Sequence, residues 1–140
     1  MTTIKLGWDK LRKLEAIVGS GGGSAASIPK TITSTPVTLL STEVNNAIVF
    51  VGTSASVINL PSGAAGLDGY MVTFRAIVAV VYNVKPNDSQ QIDNDGTLLT
   101  GGNKLTSDGA AGTSLSLVWD NTGGVWRTLG KIGLFTDTGA

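Results

Sequence analysis

From Ile28 onward the chain never runs far without a breaker: short stretches of Val, Ile, Thr and aromatic residues alternate with Gly, Asn, Asp and Pro. Runs this short cannot supply the three or more turns a typical helix needs, and β-branched and aromatic residues suit a pleated surface, so the texture predicts strands. The expected strands are residues 30–39, 47–51, 57–60, 70–76, 80–85, 97–99, 114–119 and 125–129. Period-two alternation is clearest in two of them. Val72, Phe74 and Ala76 oppose Met71, Thr73 and Arg75, while Leu115, Leu117 and Trp119 oppose Ser114, Ser116 and Val118. Between the last two strands, Asp120-Asn121-Thr122-Gly123-Gly124 has the chemistry of a hairpin loop. About eight short strands with frequent turn signals predict an all-β domain, a β-sandwich or jelly-roll-like. No exact internal repeat is present.

One segment departs from this punctuation. Residues 74–82 contain no Gly, Asn, Asp or Pro. Either one strand runs on to Lys85, or an apolar turn lies near Ile77 and Val78. An exposed turn of that kind is adhesive, and a long open strand invites edge pairing. Ile77, Val78 and Val80 are therefore candidate subunit-interface residues, against the plainer alternative of a buried central strand.

The first 27 residues read differently. Residues 1–18 carry Lys5, Lys10, Arg12 and Lys13 against Asp9 and Glu15, a net +2. Ile4, Leu11, Leu14 and Val18 fall at helical spacing with Gly7 on the same stripe, Asp9 suits an N-cap and Gly19 a C-cap. A short α-helix is expected over Asp9–Val18. So short a helix is marginal in water and needs a surface to lie against. Trp8, a large aromatic in that segment, is a candidate docking anchor. Residues 19–27, rich in Gly and Ser, form a linker with a root-mean-square span of ~16 Å; the same composition is also that of a cloning linker. The expected organisation is a helical anchor (1–18), a linker (19–27) and a β-domain (28–140).

Charged residues make up 14% of the 140-residue chain, low for a soluble domain, which suggests that part of the surface is covered by another subunit. Formal net charge is zero, which argues against nucleic acid as a partner. No apolar run approaches the ~20 residues of a membrane span, and the N-terminus lacks a signal-peptide core, so a protein made in the cytoplasm without membrane insertion is expected. The chain has neither histidine nor cysteine. Cys–His nucleophiles, Ser–His triads and the usual zinc sites cannot be built, and the serines and threonines have no imidazole base to activate them. No catalytic residue, metal ligand or cofactor site is expected.

Two features could still carry chemistry. Asp93-Asn94-Asp95-Gly96 resembles the start of a calcium loop, but no Glu follows at the required distance, and a tight turn explains it equally. Trp119 and Trp126 flank the last hairpin loop, where they could contact a glycan or plug the sandwich core. Gly21-Gly22-Gly23 and Gly101-Gly102 lack the Lys-Ser/Thr of a phosphate loop.

The order Leu60-Pro61-Ser62, Gly66-Leu67-Asp68-Gly69-Tyr70-Met71-Val72-Thr73-Phe74-Arg75, Val84-Lys85-Pro86, Gln91-Ile92-Asp93, Leu115-Ser116-Leu117-Val118-Trp119-Asp120 and Gly124-Val125-Trp126-Arg127-Thr128-Leu129-Gly130 resembles the β-domain of bacteriophage head-fibre, capsid decoration and tail-fibre proteins. The likeness covers residues 37–130; it departs after Arg75, where a Gly or Asn is the pattern. It implies a non-enzymatic homotrimer on the virion capsid surface, with the major capsid protein or another virion protein as partner. Ile4, Trp8, Leu11, Leu14 and Val18 would then be the capsid-docking residues, three weak anchors combining through effective concentration. A weak three-helix coiled coil is the other use of that segment. The chain's length leaves no room for a long shaft, which favours decoration. The alternatives are a tail-fibre or receptor-binding adhesin recognising surface carbohydrate, and a β-module of non-viral origin.

Overall fold

In the computed structural model, residues 28–53 and 56–140 are described. The expected helix, the linker and the docking residues Ile4, Trp8, Leu11, Leu14 and Val18 lie outside them. The described chain forms β1 (Lys30–Ile32), β2 (Val37–Thr38), β3 (Ala47–Val51), β4 (Ser56–Asn59), β5 (Met71–Ala76), β6 (Tyr82–Lys85), β7 (Gln91–Asn94), β8 (Thr97–Leu98), β9 (Leu105–Ser107), β10 (Ser114–Asp120), β11 (Val125–Ile132) and β12 (Phe135–Asp137). Single 3-10 turns occupy Ser41–Glu43 and Ala65–Leu67. The class is all-β, as the residue texture requires.

Two sheets stack as a sandwich: seven strands in the order β1-β3-β5-β10-β11-β7-β8, and five in the order β12-β9-β6-β4-β2. The first six strands alternate between the sheets, and within each sheet they pair in parallel. The chain therefore winds as a flattened coil, each turn adding one strand to each sheet. Register advances 19 residues from Lys30 to Val49 and 25 from Ala47 to Val72. The later strands close the sandwich, β10 lying antiparallel to both β5 and β11.

This winding gives the sandwich two distinct ends. The upper end carries the loops that leave β3, β5 and β9 and the turn between β11 and β12. The lower end carries the loops that leave β2, β4 and β6 and the hairpin between β10 and β11. Alternate residues of both sheets meet in one core: Val49, Val72, Phe74, Leu115 and Leu117 from one, Ile58, Tyr82, Val84, Leu105 and Phe135 from the other, all buried. Tyr82 and Phe135 meet edge-to-face, with centroids 5.8 Å apart. Burial pushes the Tyr82 phenol well above its ordinary pKa.

Several expectations need correction. The expected strand 30–39 is two strands in different sheets, parted by a bend that contains the cis Thr35–Pro36 bond. The segment after Arg75 takes the apolar-turn alternative, since β5 ends at Ala76 and β6 begins at Tyr82. β7, β9 and β12 were not among the expected strands: they are short and largely polar, and each pairs with a partner distant in sequence.

Candidate functional site

The most unusual surface is the upper end. Here the chain crosses between sheets in five residues, too few to fold an apolar loop inward completely. Val80 drops into the core at 7% exposure, leaving Ile77 (51%), Val78 (43%) and Val81 (42%) in solvent. Of the three candidate interface residues, Ile77 and Val78 are on the surface; Val80 is a core residue of the β-domain. Val81 was missed because alternation alone assigns it to the strand that follows.

Two further segments complete this end. Ile132 (58%) and Leu134 (72%) are exposed where β11 turns into β12. The turn is held by Asp108, whose N–H donates to the Leu134 carbonyl at 3.0 Å and whose Oδ2 accepts the Leu134 N–H at 3.0 Å. Oδ1 accepts the Ala110 N–H at 3.0 Å. These donors, Leu134 foremost, hold the Asp108 carboxyl below its ordinary pKa. Neighbouring Gly109 lies so close to Val81 that a Cβ would come within 2.9 Å of its Cγ2. At the same end a Cβ built on Gly52 would lie 3.5 Å from Ile77 Cδ1, an ordinary van der Waals contact. Five exposed apolar side chains, from two loop regions, thus lie toward the same end of the sandwich.

The lower end is firmly built, although Leu40 (65%) is exposed in the loop that leaves β2. Trp119 donates from Nε1 to the Ala64 carbonyl at 3.1 Å and packs on Trp126 with ring centroids 5.4 Å apart. Trp119 is 3% exposed and Trp126 0%. Neither tryptophan offers a ring face to a glycan in this fold; both plug the core, because the 60–70 loop folds over them.

Asp93 and Asp95 are engaged in the β7–β8 hairpin. Asp93 Oδ1 accepts the Gly96 N–H at 2.6 Å and Oδ2 meets Arg127 at 3.0 Å. Asp95 pairs with Lys131 at 2.7 Å. Asp95 and Gly96 both have positive φ, 53° and 90°, the pattern of a tight hairpin turn. Arg127 also reaches Asp120 at 2.7 Å, tying β7, β10 and β11 together on the outer face. Asp120 is held below its ordinary pKa by the Gly123 N–H first and by Arg127 second. Among the described residues no group of three or more carboxylates gathers to hold a metal.

No protein-family model and no curated protein matches this sequence. One solved structure, described as "Structure of a chaperone-substrate complex", aligns with 75% of this chain at 13% identity and a TM-score of 0.43. The aligned part is 18% of that other chain, so this chain spans less than a fifth of the length of its structural neighbour.

Proposed function

We propose that the chain is a non-enzymatic structural protein of a bacteriophage virion, a capsid decoration or head-fibre subunit, whose β-domain assembles as a homotrimer. The observation that carries this reading is the apolar upper end, where Ile77, Val78, Val81, Ile132 and Leu134 are each more than two-fifths exposed. A charged fraction of 14% and the sequence resemblance to virion β-domains support it. In this reading residues 1–18 attach to the shell. The linker of residues 19–27 joins the β-domain at Ile28, just before β1. The adhesin alternative loses the two rings proposed to stack on sugar, since both are core residues.

Light scattering on the full chain tests the proposal. The expected mass is three times the 14.3 kDa of one chain. Val78→Asp combined with Leu134→Asp should return it to a single chain with the β-sheet circular dichroism intact, because both positions are exposed. A wild-type monomer, or a double variant that stays trimeric, refutes assembly through this end.

A further inference from the structure

At the lower end, on the outer face of the five-stranded sheet, lies a shallow depression of about 210 Å³. Thr38, Asn59 and Lys85 form one row across it. They are the last residues of the three parallel strands β2, β4 and β6, held in register with one another. Buried Leu60 and Pro86 lie beside them as apolar lining. Asn87 and Asp88 complete the rim.

The walls are fixed before any ligand arrives. Asn59 is oriented by an Nδ2 hydrogen bond to the Val37 carbonyl at 3.3 Å, which leaves its amide oxygen to accept another. The 86–90 loop is closed by the Gln90 N–H on the Asn87 carbonyl at 2.7 Å. The Gln90 side chain then clamps Gly63, accepting its N–H at 2.9 Å and donating to its carbonyl at 3.1 Å. Gly102 backs the loop so closely that a Cβ there would fall 2.5 Å from the Asp88 carbonyl oxygen. These bonds hold the loop without consuming the side chains of Asn87 and Asp88.

Lys85 is the unusual member. Lys30, Arg127 and Lys131 each form ion pairs, whereas Lys85, intermediate in exposure as a residue, has no carboxylate within ion-pair distance among the described residues. A cation with no carboxylate in ion-pair contact favours an anionic group. A compact dianion such as phosphate would also meet Asp88 and be repelled. A ligand with one carboxylate and several hydroxyls fits both charges: the carboxylate on Lys85, and hydroxyls donating to Asp88 and Asn59. The volume suits one sugar ring.

We propose that this depression is a binding site for an acidic sugar unit, a uronic or similar carboxylated pyranose, with Lys85 as its anchor. The site is at the opposite end from the apolar loops, so it stands or falls independently of trimer assembly.

The test is NMR titration of the full, ¹⁵N-labelled chain with methyl glucuronide, methyl glucoside, sodium acetate and inorganic phosphate in parallel. Methyl glucuronide should give saturable shifts at the amides of Asn59, Leu60, Asn87 and Asp88. Methyl glucoside, and methyl glucuronide with Lys85→Met, should bind at least about tenfold more weakly, the loss expected for one charge-assisted contact. Asn87→Ala, which leaves the loop's backbone bond in place, should also weaken binding and serves if Lys85→Met disturbs the spectrum elsewhere. Absence of saturable shifts overturns the proposal. So does equal binding of the glucoside, or equal binding of acetate or phosphate, which would reveal a plain anion site.

Discussion

Gly63 shows how a single residue can set the lower end. A Cβ built there would lie 2.3 Å from two atoms of the Trp119 ring, inside any permitted contact. Glycine is required here by close approach, since the backbone at this position is not among those with positive φ. Trp119 cannot retreat, because it is hydrogen-bonded to Ala64 and packed on Trp126. Gly63→Ala should therefore cost about 1–3 kcal/mol of overpacking and lower the melting temperature by several degrees. Gly66, in the same loop, has open space around its Cβ position, so Gly66→Ala is the matched control and should leave the melt nearly unchanged. Equal melts for the two variants would mean that the loop slides freely over the ring.

Among the elements, the turn joining β11 to β12 depends on one carboxylate. Asp108 in the folded protein has a pKa below its ordinary value of 3.8, because the Leu134 and Ala110 N–H groups favour the charged form. A depressed carboxylate contributes stability that is complete above the unfolded pKa and is lost as pH falls through the folded value. The melting temperature of Asp108→Asn should thus lie below wild type at neutral pH, and the gap should narrow once pH drops beneath about 4. A gap that stays constant down to low pH would assign the effect to geometry alone. The size will be modest, since the group is solvent-exposed.

The same elements show what the sequence makes legible. β5 and β10 were readable because their alternation is clean: Val72, Phe74, Leu115 and Leu117 are all buried where period two places them. β7 was not, because Gln91, Asp93 and Asn94 surround a single buried Ile92 and the strand is stabilised by pairing with β11. β1 and β2 merge in prediction because β-branched residues continue on both sides of the bend, Thr31 and Ile32 before it and Val37 and Thr38 after it. The apolar end was half legible. Ile77 and Val78 stand out as an unpunctuated turn, but Ile132 and Leu134 join them only through the fold. The row Thr38, Asn59 and Lys85 is invisible in sequence, since a coil of uneven pitch brings together three residues that share no motif.

On the scale of the whole molecule, the winding makes stability directional. In a coil of stacked turns each turn is held mainly by its neighbours, and a terminal turn has a neighbour on one side only. β1 and β2 form that terminal turn: both are edge strands, of three and two residues, at the ends of their sheets. Lys30 and Glu43, 2.6 Å apart, brace it. Burial works against the Glu43 carboxylate, but hydrogen bonds from Lys30 and the Leu40 N–H prevail and hold its pKa down. β5 and β10 are at the opposite extreme, each flanked by two strands and buried along one face. Amide hydrogen exchange should therefore be fastest in β1 and β2, intermediate in β3 and β4, and slowest in β5 and β10, where opening approaches global unfolding. Glu43→Gln should speed exchange in β1 and leave β10 unchanged. Uniform protection across all six would mean that the coil and the closing strands unfold as one unit, and that the first turn is as firmly held as the core.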